Sequence, residues 1–132
     1  LSNPLLLDKR TPADIFLFYV DWCPLCICAK NVWDKIAFEF ENSTLNGYKF
    51  IFHAIECSDD IICKLDSNTF QYIEQSVETI EAIRKYQISV YPTIKMSLEI
   101  PLYGNHTEEF DYQMNYDYLK KFILSIHNLN PG

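Results

Sequence analysis

Residues 18–40 read "FYVDWCPLCICAKNVWDKIAFEF", a stretch that places three cysteines within six residues. The cysteines follow "IFLFYV" (residues 15–20), a continuous apolar run of strand length that predicts a strand buried on both faces. After the cysteines, apolar residues recur every three or four positions, which predicts an amphipathic helix. These residues are Val32, Trp33, Ile36, Ala37 and Phe40. The stretch therefore predicts a buried strand that turns into a helix at the cysteines.

A C-x-x-C motif at such a junction favours redox chemistry. Cys23 falls at the predicted helix N-terminus, where free N–H groups and the helix dipole favour a thiolate over a thiol. Cys26 lies one turn later on the same face, close enough to form a disulfide with Cys23. Pro24 suits the first helical turn, because its missing N–H costs nothing there. We therefore predict that Cys23 is the attacking thiol and that Cys26 is the resolving thiol.

The cysteines also allow two alternatives to a redox pair. Cysteine is among the most buried residue types, and Cys28, which has no partner at a suitable helical spacing, is predicted to be a small core residue. A zinc site is the second alternative, because Cys23, Cys26, Cys57 and Cys63 would satisfy its ligand count. The spacing outside the first pair is unlike that of a zinc ribbon or finger, so the sequence favours a redox pair.

The composition fits one acidic domain, residues 1–132. With 48% hydrophobic residues, the 132-residue chain can close one ordinary core. The net charge of −7 leaves no basic stripe to neutralise phosphates, so no nucleic-acid partner is expected. No apolar run approaches the roughly 20 residues that cross a bilayer, so no membrane span is expected in this chain.

The rest of the chain alternates strand and helix signals. Strands are predicted at 48–57, 93–100 and 101–112, helices at 76–86 and 116–129, and a short strand at "PLLL" (4–7) is an option. Ser76 is expected to cap the first of these helices, and the last two strands are expected to form an antiparallel hairpin. The resulting order, β-α-β-α-β-β-α, predicts an α/β fold with a central mixed β-sheet flanked by helices.

Three segments together resemble the thioredoxin superfamily. "DWCPLC" (21–26) resembles the family's W-C-x-x-C active site, "VWDKIAFEF" (32–40) the helix that follows it, and "KYQISVYPT" (85–93) the segment that ends in a cis-proline. The resemblance implies a thioredoxin-like fold in which Pro92 is cis. It also implies a substrate-binding surface beside the two cysteines, made of Trp22, Pro24, Leu25, Tyr91, Pro92 and Thr93.

Within the superfamily, "YPT" together with "ECSDDIIC" (56–63) is most similar to the catalytic-type domains of protein disulfide isomerases. Those domains carry an acidic residue followed by a cysteine, with a second cysteine a few residues later. The resemblance implies a structural disulfide between Cys57 and Cys63, and a pair of reduced cysteines is the alternative.

Three features depart from the family's pattern. The tetrapeptide Cys-Pro-Leu-Cys is neither the Cys-Gly-Pro-Cys of thioredoxin nor the Cys-Gly-His-Cys of the isomerases. The segment from Cys57 to Tyr91 exceeds a typical short α/β link by roughly 15 residues, which predicts an insertion between the third strand and the cis-proline. Leu17 stands six positions before Cys23, where the family keeps a buried carboxylate, and is expected to lie beneath the active-site cysteines.

These features predict a thiol-disulfide oxidoreductase that reduces, forms or isomerises protein disulfides. Its substrates would be protein thiols and disulfides, with a reductase or an oxidase as redox partner, and the chemistry needs no metal and no organic cofactor. A disulfide between Cys57 and Cys63 would favour the endoplasmic reticulum lumen or secretion over the cytoplasm. The alternative function is a redox-inactive thioredoxin-like module that binds a protein partner.

Overall fold

The computed structural model describes residues 10–58, 77–100 and 102–128. In chain order these residues form β1 (Thr11–Tyr19), α1 (Pro24–Phe40), β2 (Thr44–Leu45), β3 (Tyr48–Glu56), α2 (Val77–Lys85), β4 (Thr93–Ile100), β5 (Gly104–Glu109), α3 (Tyr116–Leu124) and a final 3₁₀ turn (Ser125–Asn128). The optional strand at "PLLL", the Ser76 cap and most of the predicted insertion lie outside the described residues.

The strands form one mixed sheet in the order β2-β3-β1-β4-β5. Strand β1 lies at its centre, parallel to β3 and antiparallel to β4. Strands β4 and β5 form the predicted antiparallel hairpin. Strand β1 begins at Thr11, four residues before the predicted start, because its pairing with β3 already begins at Tyr48. The predicted α/β architecture with a central mixed sheet is confirmed.

The two faces of the sheet carry separate cores. Alternate side chains of β1 point to opposite faces, as they do in any strand. Ile15 and Leu17 belong to a larger cluster that includes Trp33 of α1 and Leu119 of α3. Phe18 belongs to a smaller cluster on the other face, packed with side chains of α2 and of the segment after it. Helices therefore flank both faces of the sheet.

Three chain segments meet at one edge of this sheet. The parallel strands β1 and β3 both end there, with Tyr19 paired to Glu56. The antiparallel strand β4 begins there, with Thr93 paired to Phe18. The Cys57 N–H donates to the Tyr19 carbonyl at 2.7 Å and ties two of the segments together. Residues 20–26, 57–58 and 91–93 are thereby brought into one neighbourhood.

Candidate active site

Cys23 is the N-cap residue of α1. Its backbone is extended (φ −93°, ψ 125°), and Pro24 follows at the start of the helix. The chain passes from β1 into α1 through a turn at Asp21 and Trp22. Cys23 is partly exposed, Cys26 is buried, and neither forms a disulfide in this structure. Solvent and a substrate therefore have access to the first thiol and not to the second.

The start of α1 lowers the pKa of the Cys23 thiol. The largest effect comes from the backbone N–H of Cys26; partial burial opposes it, and the Leu25 N–H and the Cys26 thiol act in the lowering direction. The Cys23 side chain makes no capping hydrogen bond, so these N–H groups act on its sulfur as nearby partial positive charges. A thiol in such surroundings ionises more readily than an ordinary cysteine and is the better nucleophile near neutral pH.

Burial raises the pKa of the Cys26 thiol, whose side chain has no exposed surface. The Val20 N–H lies 3.4 Å from Cys26 Sγ, and this contact partly offsets the effect of burial. A negative charge on Cys23 raises the pKa of Cys26 further. The two thiols are thus shifted in opposite directions, with Cys23 the more acidic.

The apolar surroundings of Cys26 come from the smaller core cluster. Cys26 packs there with Phe18, Val20 and Cys57, and Cys23 lies at its margin. Leu17 is also fully buried but belongs to the larger cluster, with Trp33. The structure therefore differs from the expectation that Leu17 lies beneath the cysteines: its side chain leaves β1 on the face opposite to Phe18.

Exposed apolar side chains lie close to Cys23 in the chain and at the segment before β4. Trp22 is 56% exposed, Leu25 70% and Ile27 51%, all within four positions of Cys23 in the chain. Val90, which precedes the Tyr91–Pro92 dipeptide, is 64% exposed. Side chains of this size gain free energy when a partner covers them. We call Trp22, Leu25, Ile27 and Val90 the apolar rim.

The segment before β4 lies at the same edge of the sheet. The Tyr91–Pro92 peptide bond is cis. Thr93 is buried, and its hydroxyl donates to the Val90 carbonyl at 2.7 Å. Tyr91 packs against the same core cluster as Cys23. The structure thus brings the residues that the sequence assigned to substrate binding into the neighbourhood of the two thiols.

Sequence reasoning missed a polar contact at this edge. The Asp21 N–H donates to Ser58 Oγ at 2.9 Å, and the Ser58 hydroxyl donates to Asp21 Oδ1 at 2.9 Å. Ser58 is buried, and its own N–H donates to Glu56 Oε1 at 2.8 Å. The sequence signal goes no further than this: each residue directly follows a predicted strand, and the carboxyl ends of parallel neighbours meet at one edge. The contact fixes the turn that precedes Trp22 and Cys23.

Cys28 and Cys57, the other described cysteines, have different surroundings from the pair. Cys28 is exposed, so the prediction that it is a core residue is wrong. The buried side of α1 runs through Cys26, Ala29 and Trp33, and a residue two positions after Cys26 lies about 200° around the helix from it. Cys57 is buried, with its sulfur 3.4 Å from the Ile55 carbonyl oxygen. Cys63 lies outside the described residues, so its disulfide with Cys57 stays a prediction.

Two findings concern metals and membranes. Among the residues that the structure describes, no three His, Cys, Asp or Glu side chains come close enough together to hold a metal ion. The proposed zinc ligand Cys63 is not among those residues. Within the same ranges, no helix is both long enough and apolar enough to cross a bilayer.

A cavity of about 610 Å³ lies elsewhere, between β5 and α3. It is lined by Glu108, Tyr112, Tyr118 and Lys121 among others. Size alone would make it a candidate site. None of its lining residues is a cysteine, and none belongs to the sheet edge that carries the thiols. The redox chemistry therefore points to the smaller site at Cys23.

Comparisons with solved structures identify the fold. The J-Trx1 fragment of ERdj5 is 13% identical with a TM-score of 0.60, and the match covers 91% of this chain and 44% of the fragment. The first thioredoxin domain of mouse protein disulfide-isomerase A4 is 17% identical with a TM-score of 0.58, covering 93% and 67%. The first two thioredoxin domains of Saccharomyces cerevisiae Eps1p are 20% identical with a TM-score of 0.57, covering 98% and 42%.

The chain therefore has the thioredoxin fold, and the resemblance drawn from the sequence is confirmed at that level. It spans less than half of the ERdj5 fragment and of the Eps1p chain that it matches. No protein-family profile matches the sequence, and the search of curated proteins gave no match. At 20% identity or less, likeness extends to the fold, and the chemistry rests on this chain's own residues.

Proposed function

We propose that this protein is a thiol-disulfide oxidoreductase that acts on cysteines of other proteins. The observation that supports it most directly is the placement of a partly exposed Cys23 at the start of α1 and a buried Cys26 one turn later, which lowers the pKa of the first thiol and raises the pKa of the second. An exchange enzyme needs this division, because one thiol has to attack a foreign disulfide and the other has to wait. The thioredoxin fold, shared with domains of a protein disulfide-isomerase, agrees with the proposal.

The chemistry runs in two steps. The Cys23 thiolate attacks one sulfur of a substrate disulfide, a Cys23–substrate disulfide forms, and the other substrate sulfur leaves as a thiolate. Cys26 then loses its proton and attacks Cys23 Sγ. The Cys23–Cys26 disulfide forms, and the second substrate sulfur leaves. The dithiol has supplied two electrons, so a reductase has to restore it, and an oxidase would drive the reverse reaction.

The apolar rim and the Tyr91–Thr93 segment would bind the substrate. Trp22, Leu25 and Val90 offer apolar surface on which hydrophobic side chains of a substrate can rest. Pro92 and Thr93 stand at the start of β4, where an extended substrate segment can align with the backbone. Extended cysteine-containing segments of incompletely folded proteins fit such a surface better than small disulfides do.

The proposed location is the endoplasmic reticulum lumen or the exterior of the cell. Protein disulfides form and persist in those compartments. The predicted Cys57–Cys63 disulfide supports the same location, because disulfides that stabilise a fold are rare in the cytoplasm.

A direct test adds oxidised glutathione to the reduced protein at neutral pH. The expected result is a disulfide between Cys23 and Cys26 in peptide mapping, with release of two reduced glutathione molecules per protein molecule. Both thiols left reduced would contradict the proposal. A redox-inactive module would also leave both thiols reduced, but it would still bind an unfolded protein through the apolar rim. A pull-down with a reduced, denatured protein would detect that binding.

A further inference from the structure

A cavity of about 180 Å³ lies beside the buried Cys26 thiol. Cys26 is one of the residues that line it, together with Tyr19, Asp21, Lys30 and Asn31. A water molecule in bulk occupies about 30 Å³, so the cavity has room for several. Most of its lining surface is apolar, and its polar side chains come from residues such as Asp21, Lys30 and Asn31. The cavity is therefore the place where water can collect beside the buried Cys26.

Cys26 needs such an exit for its proton. Burial raises the pKa of its thiol, so it is protonated at neutral pH and has to lose the proton before it can attack Cys23. The family's buried carboxylate is replaced by Leu17, an apolar residue in the other core cluster. A different group has to accept the proton.

Asp21 is the suitable acceptor among the described residues that line the cavity. A carboxylate accepts hydrogen bonds and can serve as a general base. Lys30 is a cation whose Nζ already binds Asp34 Oδ1 at 2.7 Å. Asn31 carries an uncharged amide, and the phenol of Tyr19 carries its own proton.

The Asp21 carboxylate is held in place. Ser58 donates its hydroxyl hydrogen to Asp21 Oδ1 and accepts the Asp21 N–H, and both distances are 2.9 Å. One carboxylate oxygen is thereby fixed. Ser58 is itself buried, which holds its hydroxyl in place, whereas Asp21 is exposed to solvent.

We propose that Asp21 accepts, through water in this cavity, the proton that Cys26 loses when it resolves the mixed disulfide. This inference rests on the proposed function, because it concerns the second step of the same reaction. The S–H bond of Cys26 breaks, the proton passes through water to the Asp21 carboxylate, and Cys26 Sγ bonds to Cys23 Sγ. The substrate sulfur leaves with the electron pair of the broken disulfide bond and takes up a proton from solvent.

Other titratable groups surround Cys26, and the test has to separate them from Asp21. The groups that share its cavity or its core cluster are Tyr19, Cys23, Lys30, Cys57, Tyr86 and Tyr91. Each of these groups is present both in the parent protein and in a variant changed only at Asp21. The pH dependence has to be compared between variants that differ only at Asp21.

The experiment mixes the reduced protein with an aromatic disulfide that releases a coloured thiol, in a Cys28→Ser background that removes the exposed thiol. The first equivalent of colour reports attack by Cys23, and the second reports resolution by Cys26. Asp21→Asn keeps the oxygen that accepts from Ser58 but cannot accept a proton. We expect the first rate to stay within about twofold and the second to fall about tenfold or more at neutral pH, as for loss of a general base.

Two further measurements separate proton transfer from a structural role. The difference between Asp21→Asn and the parent should disappear at alkaline pH, where hydroxide takes the Cys26 proton. Added formate, a carboxylate small enough for the cavity, should restore resolution in Asp21→Ala. Asp34→Asn is the matched control, because it removes a carboxylate that pairs with Lys30 and is not among the residues that line the cavity.

The outcomes distinguish the two proposals. No first release of colour from the parent protein means that Cys23 is inert, which overturns the proposed function itself. A normal first release with equal second rates in the parent and in Asp21→Asn overturns only the role of Asp21. Equal slowing of both steps, or slowing that persists at alkaline pH, assigns Asp21 a structural role and also overturns the inference.

Discussion

Replacing Cys23 with serine is expected to abolish thiol-disulfide exchange, lowering the rate of substrate disulfide reduction at least about 10³-fold. Cys23 combines a partly exposed sulfur with a pKa lowered by the N–H groups at the start of α1, and a serine hydroxyl in the same place is not ionised near neutral pH. Cys26 cannot substitute for it, because it is buried and its pKa is raised. The measurement is turnover of a disulfide-bonded protein substrate with a regenerating reductant.

Cys28→Ser is the matched control for this prediction. It removes an exposed thiol two residues after Cys26, and turnover is expected to stay within about twofold of the parent rate, as for a surface substitution. Alkylation gives a second check. The alkylation rate of Cys23 should level off at a pH below about 8.5, the ordinary pKa of a cysteine thiol. Substantial turnover by Cys23→Ser, or faster alkylation at Cys26 than at Cys23, would reverse the roles of the two thiols.

Replacing Cys26 with serine is expected to stop turnover in a different way, by trapping the substrate on Cys23. Attack by Cys23 does not need the second thiol, so the mixed disulfide still forms, and no internal thiol then displaces the substrate. Near-stoichiometric adducts should accumulate on non-reducing gels and disappear when a reductant is added. Mass mapping should locate the substrate on Cys23.

The parent protein should resolve the same adduct at a rate that increases with pH above neutrality. The sign follows from the raised pKa of Cys26, because the fraction of thiolate grows until the pH passes that pKa. Cys23→Ser is the control, since it should form no adduct. Adducts formed by Cys23→Ser, or an absence of adducts in Cys26→Ser, would show that the chain does not use this two-step route.

The strand-to-helix junction that carries Cys23 and Cys26 could be predicted because its signals are local. The apolar run before Cys23, the helical spacing after it and Pro24 all lie within one stretch, and each responds to a short-range rule of backbone geometry. The two-residue strand β2 has no such signal, since two residues are too few to show a period. Cys28 was predicted to be buried from the general preference of cysteine for the core. Its position on the helix decides otherwise, because it lies on the side of α1 that faces solvent.

The contact between Asp21 and Ser58 could not be predicted with the same rules. The two residues are far apart in the chain and meet only because β1 and β3 pair in parallel with Tyr19 opposite Glu56. That register follows from the whole sheet and not from either segment alone. Leu17 shows the same limit: its burial followed from the apolar run, but the sheet face on which it lies depended on the packing of α1 and α3.

The most direct test of the central claim, that Cys23 and Cys26 form a reversible redox pair, is the reduction potential of that pair. The protein is equilibrated in thiol and disulfide buffers of known potential, and both sulfurs are quantified by mass mapping. Pro24 and Leu25 bring no positive charge to stabilise a thiolate, so we expect one two-electron transition between about −270 and about −180 mV, nearer the reducing end of the range for such proteins. A pair that stays reduced in every buffer would contradict the account, and a potential near about −120 mV would contradict its electrostatic basis.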